Sequence, residues 1–305
     1  MHGQSTDETT SHPTKQPKDG CKWLVIIMQK THIKSTRKEY AVVVNRLKPE
    51  QPRRLVITGA SSGLGLALAR YYLERGATVA AIARRGELLQ DLAAEFPGQV
   101  FCYALDVRDW HALQEAANDF IAHAGVPDIV IANAGVSIGT LTRHAEDNEV
   151  FQHVMDINVL GAVKTFQPFV EAMRAAGSGR LVGIASVAGF RGLPGAGAYS
   201  ASKAALISYL ESLRIELRGS GVKVVTICPG YIRTPMTDIN PYPMPFMLEA
   251  GEAARRMARV IERGKSFAVV PWQMALVGRA LKLLPNWLND VLFSRAPHKP
   301  RNKDI

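Results

Sequence analysis

The sequence predicts an α/β protein built on a doubly wound parallel sheet of about seven strands, with helices on both faces. Two observations carry this. Short apolar, β-rich runs alternate with longer helical stretches from Arg54 onward, which implies repeated strand–helix–strand units. The first such run leads straight into a glycine-rich segment and then a helix, the arrangement of a loop that wraps an anion at a helix N-terminus.

The strand candidates are RLVIT (54–58), ATVAAIA (77–83), VFCYALD (100–106), DIVIANAG (128–135), RLVGIAS (180–186), KVVTICPG (223–230) and FAVVP (267–271). Each is a continuous apolar run rather than an alternating one, as in strands buried on both faces. Between them lie helical stretches such as LGLALARYYLERG and YSASKAALISYLESLRIELRG. Right-handed crossovers distribute those helices over both faces of the sheet.

The chain has 305 residues, 47% of them apolar and 21% charged, the composition of an ordinary globular protein. Its three cysteines, Cys21, Cys102 and Cys228, are far apart and fit no metal or CxxC spacing. Such sparse use favours a reducing, cytoplasmic setting. The formal charge of +10 sits at the ends: residues 1–53 hold ten Lys/Arg against five Asp/Glu, and residues 294–305 hold four against one. Basic tails serve solubility or touch anionic partners; no zinc-finger, RNA-binding or helix-turn-helix pattern supports a nucleic-acid partner. No run approaches the length of a membrane span, and WLVIIM (23–28) is too short for a secretory core.

The organisation reads as three parts. Residues 1–53 form an extension, Ser/Thr/Pro/Lys-rich to residue 20 and linker-like at KPEQPRR. They belong to the mature protein or reflect the choice of start, with Met28 as one alternative. Residues 54–271 form the α/β domain, including a loop at 235–250. Residues 272–305 form an apolar helical segment, broken by Pro285, and a basic tail.

The glycine-rich segment is TGASSGLG, placing Gly59, Ser61, Ser62, Gly63, Leu64 and Gly65 between strand and helix. Glycines let the backbone turn sharply and approach a pyrophosphate; without a ligand the same pattern makes a tight turn. Downstream, Tyr199 and Lys203 are four apart on a helical stretch and share one face. A free tyrosine, with pKa about 10, is a poor proton donor–acceptor at neutral pH. A neighbouring ammonium is expected to pull it down. Ser186 closes the fifth strand run, where ligands bind in open α/β sheets, and its hydroxyl is placed to hold a substrate oxygen.

These motifs, with NAG at Asn133–Gly135 and PGYIRT at Pro229–Thr234, resemble the short-chain dehydrogenase/reductase family over roughly residues 54–271. The resemblance implies a single-domain Rossmann-type fold and hydride transfer between a nicotinamide cofactor and a carbonyl or alcohol carbon. It makes Tyr199, Lys203, Ser186 and Asn158 catalytic: Lys203 also reaches the nicotinamide ribose, and Asn158, in the helix after the fourth strand, holds a water linking Lys203 to solvent. It assigns Asp106 and Val107 to the adenine, although Asp106 reads equally as a cap or turn aspartate. Asn133, Ala134 and Gly135 close the fourth strand beside the cofactor, with Asn133 stabilising strands rather than reacting. Pro229, Gly230, Ile232 and Thr234 lie along the nicotinamide, and Thr234 can also cap a helix. After the second strand comes Arg84-Arg85 where an acidic residue would favour NAD. Arginine there pairs with a 2′-phosphate, Arg84 first and Arg85 second, so NADP(H) is expected over NAD(H); the alternative is two solvated arginines.

The segment PMTDINPYPMPFMLEAGE after Thr234 is apolar and lines either a hydrophobic substrate pocket or its own small core. The stretch Trp272–Phe293 offers a second wall of that pocket, a dimer contact, or an interfacial helix on a membrane. The expected protein is therefore an NADP(H)-dependent carbonyl reductase, or alcohol dehydrogenase in the reverse direction. Its substrate is a hydrophobic or lipid-like small molecule and no metal is needed. It assembles as a homodimer or homotetramer and touches the inner membrane surface peripherally. A non-catalytic dinucleotide-binding regulator or scaffold is the alternative, disfavoured because all four catalytic residues are present.

Overall fold

A computed structural model of the chain describes residues 53–240, 243–294 and 297–301. The extension up to Pro52, including WLVIIM and Cys21, lies outside the described residues. Seven strands form one parallel sheet: β1 (Arg54–Thr58), β2 (Thr78–Ala83), β3 (Val100–Ala104), β4 (Ile129–Ala132), β5 (Gly179–Ile184), β6 (Val222–Pro229) and β9 (Phe267–Val270). Their spatial order is β3-β2-β1-β4-β5-β6-β9. Two further strands, β7 (Ile232–Arg233) and β8 (Leu248–Glu249), pair only with each other. The doubly wound Rossmann-type sheet of seven strands is thus present, and each expected strand run contains a strand.

The continuous apolar runs have the anticipated cause. In β1, Leu55 and Ile57 face one layer and Val56 the other, and all three are fully buried. Each such side chain contributes about 1.5–3 kcal/mol relative to an exposed one. The first layer is covered by α1 (Gly63–Leu73), α2 (Gly86–Glu95) and α8 (Ala250–Arg263). The second is covered by α3 (Trp110–Ala124), α5 (Gly161–Ala175) and α6 (Gly197–Glu216), with Phe120 and Phe166 at its centre. The order reverses beside β1, which pairs with β2 on one side and β4 on the other. Open α/β sheets bind ligands at that reversal, outside the carboxyl ends of the strands.

One element departs from the expected regular helix. The helix after β4 starts as α4 (Asp147–Met155), loosens into a π turn over Asp156–Leu160, and resumes as α5. A π turn inserts a residue into the helical ladder, a device common at functional sites. Asn158 sits inside it and is 1% exposed.

The expected substrate loop leaves β7 through the one-turn helix α7 (Pro235–Asp238) and returns through β8. Pairing of Ile232 with Leu248 and an Arg233–Glu249 ion pair at 2.8 Å tie its two ends together. Pro285 separates α9 (Gln273–Leu283) from α10 (Asn286–Phe293). Arg191 holds the joint: its guanidinium donates to the carbonyls of Leu281 and Leu284 and to Asn286 Oδ1, at 2.8–2.9 Å. None of the described helices is long and apolar enough to cross a membrane.

Candidate active site

A cleft of about 320 Å³ opens over the carboxyl ends of the central strands, lined from Gly59 through Tyr199 to Thr234. Its floor begins at the β1–α1 turn. Gly59 and Gly63 adopt positive φ of 70° and 56°, which favours glycine. A Cβ on Gly65 would overlap the Gly59 carbonyl and crowd the Asn133 amide nitrogen. The missing side chain lets the first turn of α1 press against β1 and β4.

Asn133 and Thr58 lock that region together. Asn133 Nδ2 donates to the Thr58 carbonyl at 2.9 Å, and Thr58 Oγ1 accepts from the backbone N–H of Asn133 and of Ala134 at 3.1 and 3.2 Å. The amide of Asn133 is therefore spent on the seam between β1 and β4.

Ser62 occupies the N-cap of α1, yet its hydroxyl makes no capping bond. It accepts instead from Arg85 Nη2 at 2.8 Å, and Ser61 Oγ accepts from the same nitrogen at 3.0 Å. The first N–H groups of α1 are thereby left without a side-chain cap, facing the cleft with the positive end of the helix dipole. The two arginines differ in their contacts. Arg85 is the one that touches the glycine-rich loop, while Arg84 lines the cleft with no side-chain hydrogen bond among the described residues. The field of Arg84 still reaches Asp106.

Asp106 and Val107 line the same end of the cleft. Arg108 holds Asp106 with its backbone N–H at 2.9 Å and its guanidinium at 2.8 Å, which keeps the carboxyl below its usual range. Of the two local readings for Asp106, the turn is the one found; the cap of α3 is Asp109, whose carboxylate accepts from the Ala112 N–H at 3.1 Å.

Tyr199 and Lys203 lie one turn apart on α6, with the Lys203 ammonium 5.8 Å from the Tyr199 ring centre. Tyr199 is partly exposed to the cleft. Lys203 is 4% exposed and donates to the Ile184 carbonyl at 2.9 Å. Burial lowers its pKa to about 8, because a desolvated ammonium gives up its proton more readily. The expected drop in the tyrosine pKa is not what the structure produces. Burial pushes the Tyr199 phenol upward, and the Ser186 hydroxyl beside it pulls back only in part. The phenol is thus held protonated, the form that donates a proton.

Ser186 caps a 3-10 turn over Val187–Gly189, its Oγ accepting from the Ala188 N–H at 3.1 Å. A Cβ on Gly189 would stand 2.8 Å from the backbone carbon of Lys203. Gly189 therefore lets the serine turn rest directly on the backbone of α6, which sets Ser186 beside Tyr199. Asn158 grips Val136 by both backbone groups: Oδ1 accepts from its N–H at 2.8 Å and Nδ2 donates to its carbonyl at 2.9 Å. Nδ2 also donates to Ser202 Oγ at 2.9 Å, and Ser202 donates to the Tyr199 carbonyl at 2.8 Å. Val136, Gly189 and Ser202 fall outside the residues the sequence singled out. Their only sequence signal is a place beside or, for Ser202, inside a motif.

Pro229, Gly230, Ile232 and Thr234 form the wall opposite. Thr234 stands at the N-cap of α7, its N–H donating to Thr237 Oγ1 at 3.0 Å, and its methyl group faces Gly63. Cap and cleft positions therefore coincide. Gly230 packs under Met274 of α9, and Gly278 packs against Phe190, so the inner face of α9 backs this wall. Among the described residues no group of three or more His, Cys, Asp or Glu is placed to hold a metal ion.

A family model for short chain dehydrogenases matches residues 53–241. An uncharacterized oxidoreductase of Myxococcus xanthus (strain DK1622) is 42% identical over 246 residues, covering 80% of this chain and 97% of the relative. The 2-dehydro-3-deoxy-L-rhamnonate dehydrogenase (NAD(+)) of Sphingomonas sp. (strain SKA58) is 38% identical over 189 residues, covering 62% of this chain and 76% of that protein. Among solved structures, a short chain dehydrogenase from Burkholderia cenocepacia J2315 in complex with NADP superposes with a TM-score of 0.68 at 27% identity, covering 80% of this chain and 96% of that one. The family match covers β1 to β6, the glycine-rich loop and the Tyr199–Lys203 pair, and the chain belongs to the short-chain dehydrogenase/reductase family, as an oxidoreductase acting on alcohol and ketone groups.

Proposed function

We propose that the protein is an NADP(H)-dependent carbonyl reductase acting on a hydrophobic ketone or aldehyde, with oxidation of the corresponding secondary alcohol as the reverse reaction. The observation that carries this reading is the convergence of Tyr199, Ser186 and Lys203 at one end of a cleft whose other end holds Arg85 against Ser61 and Ser62. The cradle fits a dinucleotide. Gly59 and Gly65 have no room for side chains, the N-terminus of α1 is free of a side-chain cap, and two arginines stand where an acidic residue would select NAD. The Sphingomonas relative uses NAD(+) by its name, so the preference rests on this chain's own arginines.

A nicotinamide cofactor held in this cradle would supply or take up the hydride. Tyr199, held as a phenol, donates its proton to the substrate oxygen as negative charge develops there. Ser186 holds the same oxygen by a hydrogen bond that strengthens with that charge. Lys203, charged below about pH 8, stabilises the tyrosinate left behind and would hold the ribose of a bound cofactor. Asn158 has committed its amide to Val136 and Ser202, so any water it holds to link Lys203 to solvent would meet its backbone rather than its side chain. Asp106 and Val107 border the adenine; Ala134, Gly135, Pro229, Gly230, Ile232 and Thr234 border the nicotinamide end. The exposed Met236 and Ile239 beside the cleft support an apolar substrate.

The outer faces of α9 and α10 expose Trp272, Leu283, Trp287 and Val291, Leu283 at 83%, beside the cations Arg279 and Lys282. That combination suits helices lying in a membrane interface and supports a cytoplasmic protein that touches a membrane peripherally. The family membership supports a homodimer or homotetramer, which sedimentation velocity distinguishes from a monomer.

Tyr199→Phe is expected to keep the fold and NADPH binding while lowering ketone reduction by about 10²–10⁴-fold, the worth of a proton donor; retained turnover would refute the assignment. Arg85→Glu removes charge-assisted hydrogen bonds worth about 1.5–3 kcal/mol. It should therefore weaken NADPH binding by roughly 10–100-fold and leave NADH nearly unchanged; equal losses for both cofactors would contradict the phosphate role. For reduction, kcat/KM should fall as pH rises through about 8, because Lys203 then loses the charge that supports the departing proton; a profile flat from pH 6 to 10 excludes this. Vesicles containing anionic lipid should co-sediment the protein, and replacing Trp287 and Leu283 with serine should release it; equal recovery of both forms in the supernatant overturns the membrane reading.

A further inference from the structure

Residues Pro297–Arg301, beyond α10, lie along the segment that follows β4. Arg301 is the fastening. Its Nη2 and Nε meet the two carboxylate oxygens of Asp147 at 2.7 and 3.0 Å, and Nη2 also reaches Glu146 Oε1 at 3.1 Å. Asp147 is 6% exposed and accepts from the Leu141 N–H as well, at 2.7 Å. This two-pronged arginine–carboxylate geometry fixes orientation as well as position.

The backbone supports the same docking. Gly139 donates to the Pro300 carbonyl at 3.1 Å. A Cβ on Gly139 would overlap the Lys299 carbonyl, and one on Gly195, which has φ of 70°, would stand 2.7 Å from His298 Cβ. Two glycines from separate loops thus leave room for one passing strand of chain. Those loops meet at Thr140, whose N–H donates to the Gly195 carbonyl and whose hydroxyl accepts from the Ala198 N–H, next to Tyr199. Lys299 is 7% exposed, so the segment is packed in rather than draped over.

The segment also borders a second depression, walled by Val136, Ile138, Met236, Ile239, Pro300 and Arg301. It shares Gly135, Val136 and Met236 with the catalytic cleft. A substrate whose carbonyl meets Tyr199 would extend past Val136 and Met236 into this depression. The walls are mainly apolar, and the single cation of Arg301 is already matched by two carboxylates, so the space suits a hydrocarbon substituent and offers no free charge for an anionic one.

We propose that Pro297–Arg301 is a specificity element: a fastened wall that ends the substrate cleft and sets the length of apolar substituent it accepts, with Arg301 as its positioning residue. This rests on the proposed ketone reduction at Tyr199. The test uses the full-length protein and 2-alkanones from four to twelve carbons, measured both by NADPH consumption and by calorimetric binding to the NADPH-loaded enzyme. In the wild type, KM and Kd should fall with chain length until the chain meets Pro300 and then level off or rise. Arg301→Gln should erase that break, raising Kd for the best long ketones about tenfold or more while kcat on the four-carbon ketone and NADPH affinity stay within about twofold. Arg301→Lys, which retains charge but not the fork, should restore the break in part, and thermal melts of both variants separate loss of the wall from loss of fold. If Arg301→Gln melts early, Pro300→Ala, which shortens the wall and leaves the fastening, should move the break to longer chains. Identical chain-length profiles in wild type and folded variants overturn the proposal, as does failure of the alkanones to bind. Binding with the predicted break but without turnover supports the wall and refutes the reductase reading instead.

Discussion

Across the carboxyl ends of β1 and β4, Thr58 and Asn133 exchange hydrogen bonds through both side chains and backbone. The seam sits where the sheet order reverses, at the one place where neighbouring loops diverge to opposite faces and leave a crevice. Without it, the glycine-rich turn on β1 and the Ala134–Val136 segment on β4 would be free to move apart. With it, the glycine-rich turn and the Ala134–Val136 side of the cleft share one rigid base. Gly65 completes the seam by leaving out the atom that would push α1 away from the Gly59 carbonyl.

The catalytic side is held by a second network one layer higher. Asn158 grips Val136 and passes through Ser202 to the backbone of Tyr199. This joins the end of β4, the π turn and α6 by buried polar groups that satisfy one another, the condition under which such networks rigidify a site. Tyr199 and Lys203 inherit their low-dielectric surroundings from that packing. Burial moves the two in opposite chemical senses: the phenol keeps its proton more firmly and the ammonium more loosely. Burial, more than mutual attraction, sets both shifts, which differs from the simple expectation from their spacing.

Much of this was legible in the residues. The apolar runs marked the seven strands because a strand buried on both faces needs apolar side chains at every position. TGASSGLG and the Tyr199–Lys203 spacing located the two ends of the cleft because those chemistries depend on local geometry: a turn of glycines, a turn of helix. Less legible were choices between neighbours. Arg84 and Arg85 are adjacent and identical in type, and only the path of the chain into α2 directs Arg85 toward Ser61 and Ser62. Asp106 and Asp109 compete for one cap, and the register of α3 awards it to Asp109.

The sequence by itself determined the fold class and the order of its elements, since each follows from short-range periodicity, and its motifs marked the residues that line the cleft. Tertiary structure alone decided the direction of the Tyr199 shift, the π turn that aims Asn158, and the return of Pro297–Arg301 to the rim of the cleft. Each of these depends on contacts between residues far apart in the chain: Gly189 on Lys203, Asn158 on Ser202, Arg301 on Asp147. A basic residue in a polar tail carries no local pattern that names its partner; only the folded chain brings a buried carboxylate within reach of it.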